Sequence, residues 1–272
     1  MSRTEHFPTP GPVELFVRNA AGTVDVVTTD TGTSTVELAP LDDGGQVRER
    51  IERARVEASG DGRRIVVELP DRKGLTGIGR QLRVAVRVAV PPGSALRLHA
   101  ASAKVTAAGR YADAEVHTAS GTVRLGDLTG PAQVHVASGE IEISSCAGGK
   151  VHAASGSLSV GRTSDRLDVH TASGDVSIGV AESSLRIRTA SGRVTIEEAA
   201  SGRLELDTAS GDQRIGVRRG VTAKLDLVSP GGRVRSELPV EDEAPEGGAG
   251  LEIRSRAASG LVLVRPAVPV AG

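Results

Sequence analysis

Residues 171–176 read Thr-Ala-Ser-Gly-Asp-Val, and the same Thr-Ala-Ser-Gly returns at 118–121, 189–192 and 208–211. Measured at the glycine or its equivalent, the marks are Ala103, Gly121, Gly139, Gly156, Gly174, Gly192, Gly211 and Gly231. The intervals are 18, 18, 17, 18, 18, 19 and 20 residues. A fixed period of this size signals a repeat architecture. Each unit has two short arms of alternating polarity, such as Thr122–Leu125 and Gln133–Val136, with a second, less regular turn between them. Two arms and two turns in about 18 residues fit one coil of a single-stranded parallel β-solenoid, whose arms pair with the coils above and below.

The apolar residues keep the phase of the repeat. Val116, Val134, Val151, Val169, Ile187, Leu206 and Leu227 form one column. Val105, Val123, Ile141, Leu158, Val176 and Val194 form another, broken at Gln213. With two Phe, one Tyr and no Trp, the core must be built of Val, Ile, Leu and Ala. Such β-branched and small residues suit thin layers of strand.

Ahead of the coils, residues 1–94 are expected to form an N-terminal antiparallel β cap. Val13, Leu15 and Val17, then Val24 and Val26, then Val36 and Leu38, alternate as short strands. Asp42 to Arg55 is the one helical stretch, with Val47, Ile51 and Ala54 on one face. Val56–Ser59 and Ile65–Leu69 flank a Gly60-Asp61-Gly62 turn and read as a hairpin. Residues 71–80 are expected to be a basic loop, and Gln81–Val90 a strand stopped by Pro91-Pro92-Gly93. Coils are expected over 95–236. An acidic loop follows within 237–272, ending in two closing strands, Leu251–Ser255 and Leu261–Arg265.

Charge and composition exclude several functions. The formal net charge is −1, so no basic footprint for nucleic acid is present, and scarce aromatics remove stacking platforms for bases. Arg outnumbers Lys 29 to 4, and the charges are interspersed as on a solvated surface. Cys146 is single, so no intrachain disulfide is expected. The opening MSRTEHFPTPGP lacks the apolar stretch of a secretory signal, and no apolar run spans a membrane. A cytoplasmic compartment without membrane contact is therefore expected.

Two further columns could carry chemistry. His99, His117, His135, His152 and His170 share one phase, continued by Arg188 and Asp207. Period-2 alternation turns them outward, about 5 Å apart. A weak divalent-metal strip or a pH-sensitive face is one reading; a solvent-facing polar position copied with the repeat is the simpler one. No cofactor or metal site is expected. The serines of the repeat, Ser120, Ser138, Ser155, Ser173, Ser191 and Ser210, precede Gly121, Gly139, Gly156, Gly174, Gly192 and Gly211. They lack the base and the flanking glycine of a nucleophile elbow. Their hydroxyls are expected to cap turn amides, with glycine at positive φ. Asp113, Glu142, Asp168 and Asp207 fall in different phases, which argues against a calcium-dependent polysaccharide lyase. Thr118, Thr171, Thr189 and Thr208 do not form an unbroken ice-binding array, since Ala100, Val136 and Ala153 interrupt them.

The repeated Thr-Ala-Ser-Gly, the opening Asn19-Ala20-Ala21-Gly22-Thr23-Val24-Asp25-Val26 and the Val90-Pro91-Pro92-Gly93-Ser94 entry together resemble the bacterial "putative adhesin" family, domain-of-unknown-function family 4097. The resemblance covers nearly the whole chain. It implies a β-solenoid, and it implies no catalytic residues. The functional expectation is a non-catalytic scaffold or interaction module with a protein partner, and with self-association through coil ends. A polysaccharide-binding or -processing β-helix, or an adhesin if exported, is the alternative.

Overall fold

The computed structural model describes residues 2–70, 82–239 and 250–268. The expected basic loop at 71–80 and most of the acidic stretch at 241–250 lie outside these residues. The chain divides into two compact units, Met1–Glu140 and Ile141–Gly272.

The first unit contains β1 (Arg3–Pro8), β2 (Glu14–Thr28), β3 (Thr33–Pro40), α1 (Gly45–Glu52), β4 (Arg55–Ala58), β5 (Arg64–Glu68), β6 (Val84–Val90), β7 (Ala95–Tyr111) and β8 (Ala114–Leu128). Strand β9 (Ala132–Cys146) begins here. Successive coils pair in parallel: Leu98 faces Val116, and Val105 faces Val123. All four side chains are 1% exposed or less.

The coils start earlier than the 18-residue spacing indicates. Strand β2 runs parallel to β7 along its length, with Val17 opposite Leu98 and Val24 opposite Val105, so it is itself a coil. On the other side of β2, β5 covers its first arm and β6 its second, again in parallel. Among the described residues, antiparallel pairing is confined to β1 with β3, β3 with β6, and β4 with β5. The expected antiparallel cap is therefore real but thinner, because residues 14–28 belong to the coils. The hairpin is present, with Val56 opposite Val67. The helix is shorter than Asp42–Arg55 and buries Val47 and Ile51. Arg3 donates to the Ala54 carbonyl at 2.7 Å, satisfying a main-chain acceptor just past the helix end.

The second unit holds the pairs β10/β11 (Gly149–Ser155, Leu158–Thr163), β12/β13 (Leu167–Ser173, Val176–Ala181), β14/β15 (Leu185–Ser191, Val194–Ala199) and β16/β17 (Gly202–Ser210, Gln213–Val217). Two more pairs follow: β18/β19 (Ala223–Val228, Arg233–Ser236) and β20/β21 (Leu251–Ser259, Leu261–Pro266). Each coil thus has two arms. The first apolar column runs in register through Val151, Val169, Ile187 and Leu206. The second runs through Ile141, Leu158, Val176 and Val194 to Gln213.

The last two coils are stacked out of sequence order. Coil β20/β21 pairs directly on β16/β17, and coil β18/β19 pairs on the far side of β20/β21. Leu227 is therefore not the neighbour of Leu206; Ser255 stands between them. The closing strands are a complete coil with its own corner, Ala257-Ala258-Ser259-Gly260, in which Ser259 pairs with Ser210.

The repeated corner explains the glycine. Gly22, Gly121, Gly139, Gly156, Gly174, Gly192, Gly211 and Gly260 all have φ between 120° and 148°. At Gly174 (φ 128°) a Cβ would lie 1.7 Å from the Gly156 carbonyl oxygen, so both conformation and space demand glycine. Gly231 does not share this φ, since the out-of-order coil places Gly232 against Gly260 instead. The second turn has an inward column of its own: Cys146, Thr163, Ala181, Ala199 and Val217 in register. Cys146 is 2% exposed, and burial raises its thiol pKa.

Candidate functional site

Strict register converts one outward position into a ladder of identical groups. In the first unit His99 pairs with His117, and both rings point away from the apolar residues on either side. The His99 and His117 ring centroids are 5.0 Å apart at 8°, and those of His117 and His135 are 4.8 Å apart at 4°. Phe16 lies over the other face of His99, with centroids 5.3 Å apart at 39°. The strip therefore runs Phe16, His99, His117, His135, with Arg18 opposite His99 in the register. In the second unit His152 and His170 stack at 5.0 Å and 8°. Their column continues through Arg188 and Asp207, an ion pair at 3.7 Å.

Electrostatics distinguish the rungs. His117 Nε2 lies 3.0 Å from Glu115 Oε1. This bond is the chief reason the Glu115 carboxyl sits below its ordinary pKa; charge from His117, Arg97 and His99 adds to it. The His99 imidazole is lowered from its ordinary value, first by burial and then by His117; Arg18 adds to this and Glu115 opposes it. Arg97 is held by both Asp113 and Glu115. Sequence reasoning missed Glu115 as a partner. The signal was present, because Glu115 and His117 are two apart on one strand and so share a face.

A shallow groove of about 380 Å³ adjoins the strip, lined by Phe16, Arg18, Ala20, His99, Ala100 and Ala101. Phe16 is one of only two phenylalanines in the chain, and it points outward beside this groove. Among the described residues, no three His, Cys, Asp or Glu side chains converge in an arrangement that holds a metal ion. Parallel rings at this spacing face one another rather than a common point.

The serine positions share the corner with the threonines of the repeat. Ser120, Ser138, Ser155, Ser173, Ser191 and Ser210 lie along the corner, at least partly exposed. At the corner their main-chain carbonyls accept the turn amides, while the Ser120 hydroxyl bonds that of Ser102 at 3.2 Å. The Gly156, Gly174 and Gly192 amides donate to the Ser173, Ser191 and Ser210 carbonyls of the next coil at 3.1–3.2 Å. The threonines supply the side-chain brace. Thr118, Thr171 and Thr189 each donate to the carbonyl of the serine two residues on, at 3.1, 3.2 and 3.0 Å. Thr118, Thr189 and Thr208 are accordingly buried, which removes them from any ice-facing surface.

No described helix is long and apolar enough to cross a membrane, which leaves membrane β-barrels unaddressed. No curated protein matches this sequence. Among solved structures, a "putative adhesin" of Bacteroides fragilis NCTC 9343 is 9% identical over 98% of this chain and 97% of its own, with a TM-score of 0.44. One from Parabacteroides distasonis ATCC 8503 is 13% identical over 97% of each chain, with a TM-score of 0.33. A "putative lipid binding protein" from the same strain is 9% identical over 98% and 97%, with a TM-score of 0.37. The family model described as Toastrack DUF4097 matches residues 27–184 and 150–238. It thus takes in the histidine columns and the Thr-Ala-Ser-Gly corners, and the chain belongs to the Toastrack DUF4097 family.

Proposed function

We propose that this protein is a non-catalytic interaction module that binds a protein partner along an outward arm of its coils. The observation that carries the reading is the strip of Phe16, His99, His117 and His135, four rings at successive spacings of 4.8–5.3 Å. In a chain with two Phe and one Tyr, an outward aromatic placed beside stacked imidazoles and Arg18 is a concentrated contact surface. The strip is rigid, because each ring stands on a strand whose inward neighbours are packed in the core. It can offer flat apolar area, hydrogen bonds and pH-dependent charge together.

The test is affinity capture with the full chain from its native cell, in parallel with Phe16→Ala and His117→Asp variants of unchanged circular dichroism. A protein recovered by the parent and lost by both variants supports the reading. Equal recovery by all three, or retention of soluble polysaccharide instead, defeats it. In this reading the compartment is the cytoplasm. Finding the chain in the cell envelope or medium on fractionation would replace that with the surface role the adhesin name suggests.

A further inference from the structure

In the second unit, β18 has one edge without a partner among the described residues, where it pairs with β20 alone. The inward Leu225 and Leu227 are half-buried, whereas Leu204, Leu206 and Ile253 in the same unit are 0–1% exposed. Val228, next in the strand, is 44% exposed. Such an edge is a template for another strand.

The direction of its main-chain groups can be read from one bond. Leu251 N–H donates to the Thr222 carbonyl. Main-chain groups alternate in direction along a strand, so Thr222, Lys224 and Asp226 face β20, and Ala223, Leu225 and Leu227 face the open edge. The sequence over these positions, Ala223-Lys224-Leu225-Asp226-Leu227, is a chemical palindrome about Leu225. Set antiparallel to a copy of itself about Leu225, it brings each Lys224 opposite the other copy's Asp226 on the outward face. The same register places Leu225 against Leu225, and Ala223 against Leu227, on the core side. These last pairs are the ones whose amides and carbonyls are directed at the open edge, so the register that matches charge also matches hydrogen bonds.

We propose that the occupant of this edge is a second copy of the chain, joined through an antiparallel β18–β18 pair in a closed, two-fold dimer. Self-complementarity is what an isologous contact requires. The contact is assigned to β18 only: β19 carries Arg233 and Arg235 exposed, and self-pairing there would crowd like charges. One short strand pair buries less than the roughly 800 Å² per partner of a standard interface, so the dimer is weak and forms at high concentration. This inference stands apart from the strip around His117, which lies in the other unit.

Sedimentation velocity of the full chain over about 1 to 500 µM reads the association directly. The expected result is a monomer–dimer equilibrium. Lys224→Asp puts two carboxylates opposite one another at both symmetry-related sites and should weaken dimerisation about tenfold or more. The double reversal Lys224→Asp/Asp226→Lys restores the match and should return the dimer, although it gives up the 3.2 Å pair of Asp226 with Arg254 inside the chain. Leu225→Pro removes an N–H that faces only the edge, so it should abolish dimerisation without loss of circular dichroism. A parent protein that stays monomeric throughout overturns the proposal. So does a dimer indifferent to Lys224→Asp, or one that the double reversal fails to restore.

Discussion

Gln213 interrupts an otherwise apolar column, and its role can be measured. It is fully buried and makes three bonds. Its Oε1 accepts from Ser255 Oγ at 2.5 Å, and its Nε2 donates to Thr208 Oγ1 at 2.9 Å and to the Arg256 carbonyl at 3.0 Å. Gln213→Leu keeps the size and removes all three. Thr208 can turn to the Ser210 carbonyl, as Thr189 does to Ser191. Ser255 Oγ, on a residue that is 0% exposed, then has no replacement. The cost of one orphaned buried hydroxyl plus the lost carbonyl bond is about 2–3 kcal/mol. Ser255→Ala alone orphans Gln213 Oε1 and should cost about 1–3 kcal/mol. The double variant Gln213→Leu/Ser255→Ala removes donor and acceptor together, and should lie within about 1 kcal/mol of the parent. Urea unfolding followed by far-UV circular dichroism measures the four stabilities, and amide exchange in β17 and β20 locates the loss. If the two single costs simply add in the double variant, the pair is not coupled and the reasoning fails.

Gly174→Ala should cost more than about 2 kcal/mol, since it combines positive φ with a clash against the Gly156 carbonyl. Gly220→Ala, with φ 78° and nothing within 4 Å of the added Cβ, should cost only about 1–2 kcal/mol; equal thermal shifts for the two would contradict the stacking account. The folded His99 imidazole binds its proton less readily than in the unfolded chain, so stability should fall as pH drops through about 6.5. Facing it are Phe16, Arg18, His117 and Glu115. Melting temperatures at pH 7.5 and 5.5 should therefore differ in the parent and converge in His99→Thr. Glu115 has the opposite sense, with its folded pKa depressed. Its contribution is present at neutral pH and lost as pH falls through the carboxylate range, and Glu115→Gln should remove that part of an acid titration. Cys146 should resist alkylation in the native protein and react on unfolding, because it is buried and its thiol pKa is raised; rapid native labelling would place it elsewhere.

The order of residues alone dictates the parallel coil, its period, the two apolar columns and the outward histidines. These follow from local rules: alternation sets the face of each side chain, and the corner glycine is dictated by φ and by the carbonyl of the coil before it. It also determined Val47 and Ile51 as the buried side of the one helix. Two coils escaped the spacing although their corners were in plain view. Asn19-Ala20-Ala21-Gly22 is separated from Ala103 by the inserted strands and helix, and Ala257-Ala258-Ser259-Gly260 lies 49 residues beyond Gly211. A period cannot register a coil that follows an insertion. The order of the last two coils was set by packing, because either one offers β16/β17 an apolar face. The physical reason for the choice is the buried amide. With β20/β21 in place, Ser255 donates to Gln213. With β18/β19 there, Leu227 would take the position of Ser255 and leave that oxygen without a partner. The price of a longer connection is small, since loop closure grows only with the logarithm of length. The histidine strip was decided in the same way. Alternation turned the rings outward, but the placing of Phe16 over His99, and of Glu115 beside His117, needed the strands to be stacked.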